Sequence, residues 1–388
     1  MKLEEIQAAL REEKLDGWLF FDHHVRDLLS YRVLGLDPAG HYTRRWYYYV
    51  PAVGEPVGLV HRVEPHSLAA LPGKKRYYSQ WTEHAAELQS MLRKAERVAM
   101  QYSPNCAVPY VSMVDAGTME LIRGFGVDVV SSANLIQLFE ARWTAAQLES
   151  HLEAGRRMDG HRRAAFDRIG EHLRLGERVT ELDIQRFLRH AFAGSGLITD
   201  HGPIVAVNGN ASDPHYGPTE HKHSEIRKGD VVLIDMWAKL DEPDSTYYDI
   251  TWTGFCGPEA RPEVVGVFEI VRDARDLAVA CAKKAPTQVL CGFDIDNAAR
   301  DHITAAGLGQ YFVHRTGHSI GTEVHGTGAN MDNFETHDDR RIIPRCCFSV
   351  EPGIYLPEFG IRSEVNVYIS ETEAIVTGEA QRELVTIV

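Results

Sequence analysis

The sequence predicts an α+β protein of two domains, and three observations predict it. Short helical and extended segments alternate through roughly the first 140 residues. From Thr144 onward the order reads helix, helix, strands, then helix, helix, strands, a coarse structural duplication without matching sequence. The change of pattern between them sets the division: a smaller α/β domain over 1–142 and a larger one over 143–388. A chain of 388 residues has the length for two domains with real cores.

In the first domain, Leu3, Ile6 and Leu10 recur at helical spacing. "GWLFF" (17–21) then reads as a buried strand, and "WYYYVPAVGEPVGLV" as two strands about a turn at Gly54 and Glu55. A helix over about 83–95, a strand at "RVAMQY", a helix over 116–123 and a strand at "VDVV" follow. "SSANLIQLFEARW" leads out as a helix. The second domain opens on a capping box, Thr144 with Gln147 three residues on, and its helix runs to Leu175, where Gly176 ends it. Thr180 caps "ELDIQRFLRHAFAG". Strands are expected at "PIVAVNG", "DVVLIDMWAK" and "YYDITWTGF". Pro262 starts a long helix to about Ala285, and another covers about 294–306. Strands return at "CCFSVEPGIYL" and "IRSEVNVYI".

Composition excludes some functions. The net charge is −14, from 41 basic and 55 acidic residues, which argues against a nucleic-acid partner. No run of eighteen apolar residues occurs, so no membrane helix is expected. The charged start "MKLEEIQAALREEKLDG" lacks the apolar stretch of a signal peptide. The six cysteines are scattered without a C-x-x-C pair, as expected of reduced thiols in a cytoplasmic protein.

"TGHSIGTEVHG" (316–326) sets two histidines seven apart in a glycine-punctuated run that favours extended backbone over helix. They are either satisfied core groups in a strand or a metal ligand with a proton-handling partner. The surrounding strands decide. Asp235, Asp249, His318, Glu351 and Glu364 each sit in an apolar, β-forming context. Buried carboxylates need a cation or a proton. Four carboxylates and one imidazole make an oxygen-rich cage suited to two divalent metal ions.

The set, with "VNGNASDPHYGPT", "KGDVVLID", "DITWTGF", "GHSIGTEVH", "SVEPGIY" and "GIRSEVNV", resembles the pita-bread metallopeptidases over about 145–388. The first domain is similar, more weakly, to the small creatinase-like domain of the prolidase and aminopeptidase P branch. The resemblance implies a pita-bread catalytic domain with Asp235, Asp249, His318, Glu351 and Glu364 as metal ligands. It implies that Asp249 and Glu364 bridge the metals and that Glu351 is also the general base. It gives His215 and His325 substrate-binding and oxyanion roles, so that His318 holds metal and His325 handles substrate. His314 and Tyr355 match positions beside the substrate, and Arg362 a position that orients Glu364.

The resemblance also implies a homodimer. Three departures bear on the pocket wall: Trp237 and Trp252 replace a small residue and an arginine, and Gly326 replaces an acid. Asp235 and Asp249 are fourteen apart, some three residues more than usual, with the extra length in "KLDEPDST".

The expected function is hydrolysis of the Xaa-Pro bond in dipeptides by a hydroxide held between two metals, Mn²⁺ before Zn²⁺ or Co²⁺. A small peptide is the expected partner. The alternatives are an Xaa-Pro aminopeptidase acting on longer peptides and, third, a non-catalytic peptide-binding protein. His221 and His223 read as a solvated loop, and His23 and His24 as an exposed pair. Arg340, Arg341 and Arg345 carry no assigned role.

Overall fold

The strand Gly17–Asp22 is buried at all six positions, and a sheet assembles on both of its edges. In the computed structural model, which describes residues 2–388, six strands line up in the order Lys74–Tyr78, Val57–His61, Trp46–Pro51, Gly17–Asp22, Arg97–Met100, Asp128–Ser131. The sheet is mixed: Trp46–Pro51 runs antiparallel to Gly17–Asp22, and Arg97–Met100 parallel to it. Helices cover it and its two faces fill separate apolar clusters, one around Trp18, Phe20 and Tyr48, the other around Leu19, Tyr47 and Val98. These elements make up one compact unit, ending at Glu140; a second runs from Ala141 to Val388.

The second unit starts where the capping box sets it. Thr144 accepts the Gln147 N–H, and the helix Ala145–Leu175 ends at Gly176 in the left-handed conformation, φ 69°. It packs with Glu181–Gly194 on a sheet whose centre is the antiparallel pair Val231–Leu240 and Tyr248–Cys256. Ile204–Val207 joins the other edge of Val231–Leu240. The second half repeats this plan. Helices Pro262–Ala282 and Gly292–Ala305 pack on a sheet of Ser319–Ile320, Cys347–Val350, Val365–Ile369 and Ala374–Thr377. This is the pita-bread arrangement, with a helix pair backing each sheet. No helix among the described residues is long and apolar enough to cross a membrane.

Several elements escape the sequence pattern, among them the short strands Leu197–Ile198, Ala374–Thr377 and Val385–Ile387. Leu28–Leu34 is helical, capped by Asp27, and Lys74–Tyr78 is an edge strand of mostly polar residues without alternation. Two expected strands are each broken in two. "CCFSVEPGIYL" divides into Cys347–Val350 and Gly353–Tyr355, and "IRSEVNVYI" into Gly360–Arg362 and Val365–Ile369. Pro352 lacks an N–H for the ladder, which accounts for the first break.

Candidate metal centre

The two halves of the second unit each turn one strand face away from their helices. On Val231–Leu240, residues Val232, Ile234 and Met236 meet the helices, so Asp235 and Trp237 point the other way. On the partner strand Ile250 meets the helices, and Asp249 and Thr251 take the opposite face. The register sets Thr251 across from Asp235 and Asp249 across from Trp237. This corrects one expectation. Trp252 belongs to the helix side, where the Arg162 guanidinium lies 3.5 Å over its ring, so it does not line the pocket; period-two alternation required that.

The second half supplies its groups from strand breaks rather than strand interiors. His318 precedes the short strand Ser319–Ile320, Glu351 follows Cys347–Val350, and Glu364 sits between Gly360–Arg362 and Val365–Ile369. Leaving the ladder frees these side chains from alternation. Backbone bonds fix them instead: Ser349 N–H donates to His318 O at 2.8 Å, Glu351 N–H to Thr316 O at 2.7 Å and Glu364 N–H to Thr251 O at 3.1 Å. Gly317 is required here, because a Cβ would stand 1.9 Å from the Ser349 carbonyl oxygen.

Asp249, His318 and Glu364 gather with one donor atom each, all within 4.8 Å of one another. His318 Nε2 is 3.4 Å from both Asp249 Oδ2 and Glu351 Oε1. Its Nδ1 faces the Ser319 carbonyl oxygen at 3.1 Å and so carries the proton. Burial keeps the ring neutral, pushing its pKa down. The Nε2 lone pair therefore faces two carboxyl groups and carries no hydrogen of its own. Glu364 Oε1 is buried without a hydrogen-bond partner, while Oε2 accepts from Thr251 Oγ1 at 2.8 Å. Lone pair, facing carboxylates and orphaned oxygen fit a bound cation, and the oxygen-rich set suits a hard divalent one.

Arg362 is the buried cation of the cluster, and its partner differs from expectation. Nη2 bonds Asp235 Oδ2 at 2.5 Å, not Glu364. Nε donates to Thr251 Oγ1 at 2.9 Å, and Thr251 passes its own hydrogen to Glu364. Arg362 thus reaches Glu364 through a hydroxyl. Nη1 donates to the Tyr355 oxygen at 3.0 Å. His314 Nδ1 faces the Arg315 carbonyl oxygen at 2.6 Å, so the Tyr355 hydroxyl donates to His314 Nε2, also at 2.6 Å.

The two remaining histidines are exposed, and neither lies in a strand. The His325 ring meets His318 edge-on at 4.4 Å. Burial of its inner edge and then His318 push its pKa down to about 4. His215 stands on the loop after Asn208–Ser212, its N–H on Asp213 Oδ1 at 3.1 Å, and its ring makes no hydrogen bond among the described residues. That loop is tied to the core by Glu181, which accepts from Tyr216 Oη at 2.6 Å and from Val207 N at 2.7 Å. Neither Glu181 nor Thr251 stood out in the sequence, although Thr251 follows Asp249 at strand spacing. The lengthened hairpin is no open loop: Thr246 is buried and donates to Gln147 O at 2.7 Å, and Tyr247 N–H holds Gly321 O at 2.9 Å. Arg340 is also structural, buried on Asp338.

Burial, more than any neighbour, pushes Asp235 up to about 7 and Asp249 and Glu364 well above the usual carboxylate range. Burial also pushes Glu351 up, but His318, His314 and Arg362 outweigh it and hold it below that range. The sign for stability follows from the three raised groups. In the metal-free protein they keep protons that the unfolded chain releases near 3.8 to 4.5. Their contribution is complete below that range and is lost as pH rises through the folded values. The melting temperature of metal-free protein should therefore fall between about pH 5 and about pH 8, and less steeply in Asp249→Asn. A flat or rising profile in both proteins would contradict the assignment.

The second unit has known relatives. Residues 151–371 match the family "Metallopeptidase family M24". The chain is 31% identical over 229 residues to "Probable dipeptidase PepE" of Mycobacterium tuberculosis, covering 58% of this chain and 57% of that one. It is 29% identical over 249 residues to the Xaa-Pro dipeptidase of Lactobacillus helveticus, covering 62% and 60%. The match thus spans little more than half the length of these curated relatives. Among solved structures, dipeptidase PepE from Mycobacterium ulcerans superposes with a TM-score of 0.67 at 24% identity, over 100% of this chain and 97% of that one.

Proposed function

This chain belongs to metallopeptidase family M24, and we propose that it hydrolyses the Xaa-Pro bond of dipeptides with two divalent metal ions. Asp235, Asp249, His318, Glu351 and Glu364 would hold them. One observation carries the reading: an unprotonated His318 Nε2 facing two carboxylates beside an orphaned Glu364 oxygen. Four carboxyl groups and a neutral imidazole with Arg362 as their one buried cation call for more positive charge, supplied by protons in the metal-free protein and by metal ions when these bind. Such ions, when bound, polarise a carbonyl and make water nucleophilic at neutral pH.

The chain's own residues do the rest. Glu351 stays ionised and takes the proton of the attacking water. Ser349 Oγ holds its Oε1 at 3.1 Å. His325 keeps a solvent-facing edge beside His318 and donates to the carbonyl oxygen as charge develops there. His215, on its braced loop, contacts the substrate. Tyr355 and His314 form the wall beside the proline ring, kept rigid by Arg362. Proline has no N–H, so recognition falls to the shape of such a wall. The likeness to dipeptidases favours this substrate class. The hard donor set favours Mn²⁺. Six free cysteines suit the cytoplasm, and the resemblance carried by the sequence implies a homodimer.

The test is hydrolysis of Ala-Pro against Ala-Pro-Ala by protein stripped of metal and resupplied with Mn²⁺. Cleavage of the dipeptide alone is expected. Preference for the tripeptide would make the protein an Xaa-Pro aminopeptidase. Cleavage of neither, with metal bound, would overturn the proposal in favour of a binding protein.

A further inference from the structure

Strand register brings one more carboxylate to this centre. Leu197 and Ile198 pair with Leu240 and Lys239, and the same antiparallel register, continued, sets Asp200 opposite Trp237. The indole Nε1–H of Trp237 donates to Asp200 Oδ1 at 2.7 Å, and the His201 backbone N–H reaches the same oxygen at 2.9 Å. Trp237 shares a strand face with Asp235 and lies directly across from Asp249. Asp200 is thus fixed by one side chain to the edge of the donor cluster.

Its second oxygen is differently placed. Oδ2 contacts His201 Nδ1 at 3.1 Å, and that imidazole is 83% exposed. Burial pushes the Asp200 pKa up, but the bonds from Trp237 and His201 outweigh it and hold the group below the usual range, so it is ionised at neutral pH. The result is a half-exposed carboxylate with one oxygen held by the Trp237 indole and the other against an exposed imidazole.

Resting on the function proposed above, we infer that Asp200, positioned by Trp237, binds the free α-ammonium group of the peptide substrate. In any peptide cut after its first residue, the α-nitrogen is two bonds from the attacked carbonyl carbon. A group that recognises it must stand within a side chain's length of the donor cluster, and Asp200 does so through Trp237. The arrangement makes the site selective for an unblocked N-terminus. Trp237 is a positioning residue here, and Asp200 is the group that touches substrate.

The test compares Ala-Pro with N-acetyl-Ala-Pro on the metal-loaded full chain, in wild type, Asp200→Asn and Trp237→Phe. Asparagine keeps an acceptor for the indole N–H, so the packing survives while the charge goes. The preference for the free amine, as a ratio of kcat/KM values, should fall about ten- to a hundredfold in Asp200→Asn, chiefly through KM. It should fall less in Trp237→Phe, which loosens the carboxylate without removing it. An unchanged ratio in Asp200→Asn, with wild type cleaving Ala-Pro, would overturn this inference and leave the proposed function standing. Wild type that cleaves neither peptide would overturn both.

Discussion

Asp249→Ala should lower kcat/KM for Ala-Pro by at least about a thousandfold, beyond the roughly 10–100-fold typical of groups that only support a metal ligand. Asp249 is buried, stands 3.4 Å from His318 Nε2 and belongs to the one group of clustered donor atoms found among the described residues. The same change should move stability in opposite directions with and without metal. In metal-free protein, Asp249 is a buried carboxyl whose charged form is opposed by burial and by Glu351, so at a pH high enough to ionise it its removal relieves that penalty and the variant should melt no lower than wild type. With Mn²⁺ at about a hundredfold excess over Kd, wild type should gain about 2.7 kcal/mol and the variant much less. Thermal unfolding with and without Mn²⁺ reads both. Equal metal-induced shifts would remove Asp249 from the centre.

Arg362→Met should destabilise the protein by about 3–5 kcal/mol in denaturant unfolding, the usual cost of leaving one member of a buried ion pair alone. Arg362 is 4% exposed and divides its three nitrogens among Asp235, Thr251 and Tyr355. Arg362→Lys should recover little of the loss, since one ammonium cannot serve three partners arranged around a planar fork. Adding Asp235→Asn to Arg362→Met should recover part of it by removing the unpaired charge, and the double-mutant cycle measures how much. A loss below about 1 kcal/mol would mean that Asp235 is already protonated without its arginine.

Much of this was legible because short-range rules governed it. The capping box at Thr144 and the left-handed Gly176 set the first long helix within a residue of its expected ends. Asp235 and Asp249 read as inward-facing acids because they interrupt apolar strands and keep their alternation. What the sequence hid depended on contacts distant along the chain. Glu351 and Glu364 read as strand residues, yet they lie in breaks that only pairing reveals. The choice of Asp235 over Glu364 by Arg362 is a matter of a hydroxyl, Thr251, arriving from a strand over a hundred residues away. Trp252 was legible and misjudged: two residues beyond Ile250, it had to face the helices. Asp200 gave no signal at all, because its importance comes from an indole reached through sheet register.

The central claim is that this buried cluster is a dinuclear metal centre. Its most direct test is the metal content of purified, Mn²⁺-reconstituted protein, counted per chain beside Asp249→Ala. The account predicts two ions per chain in wild type, hydrolysis of Ala-Pro that rises with occupancy, and fewer than two ions in the variant. Full Ala-Pro hydrolysis by protein holding no metal, or equal metal content in wild type and variant, would contradict it.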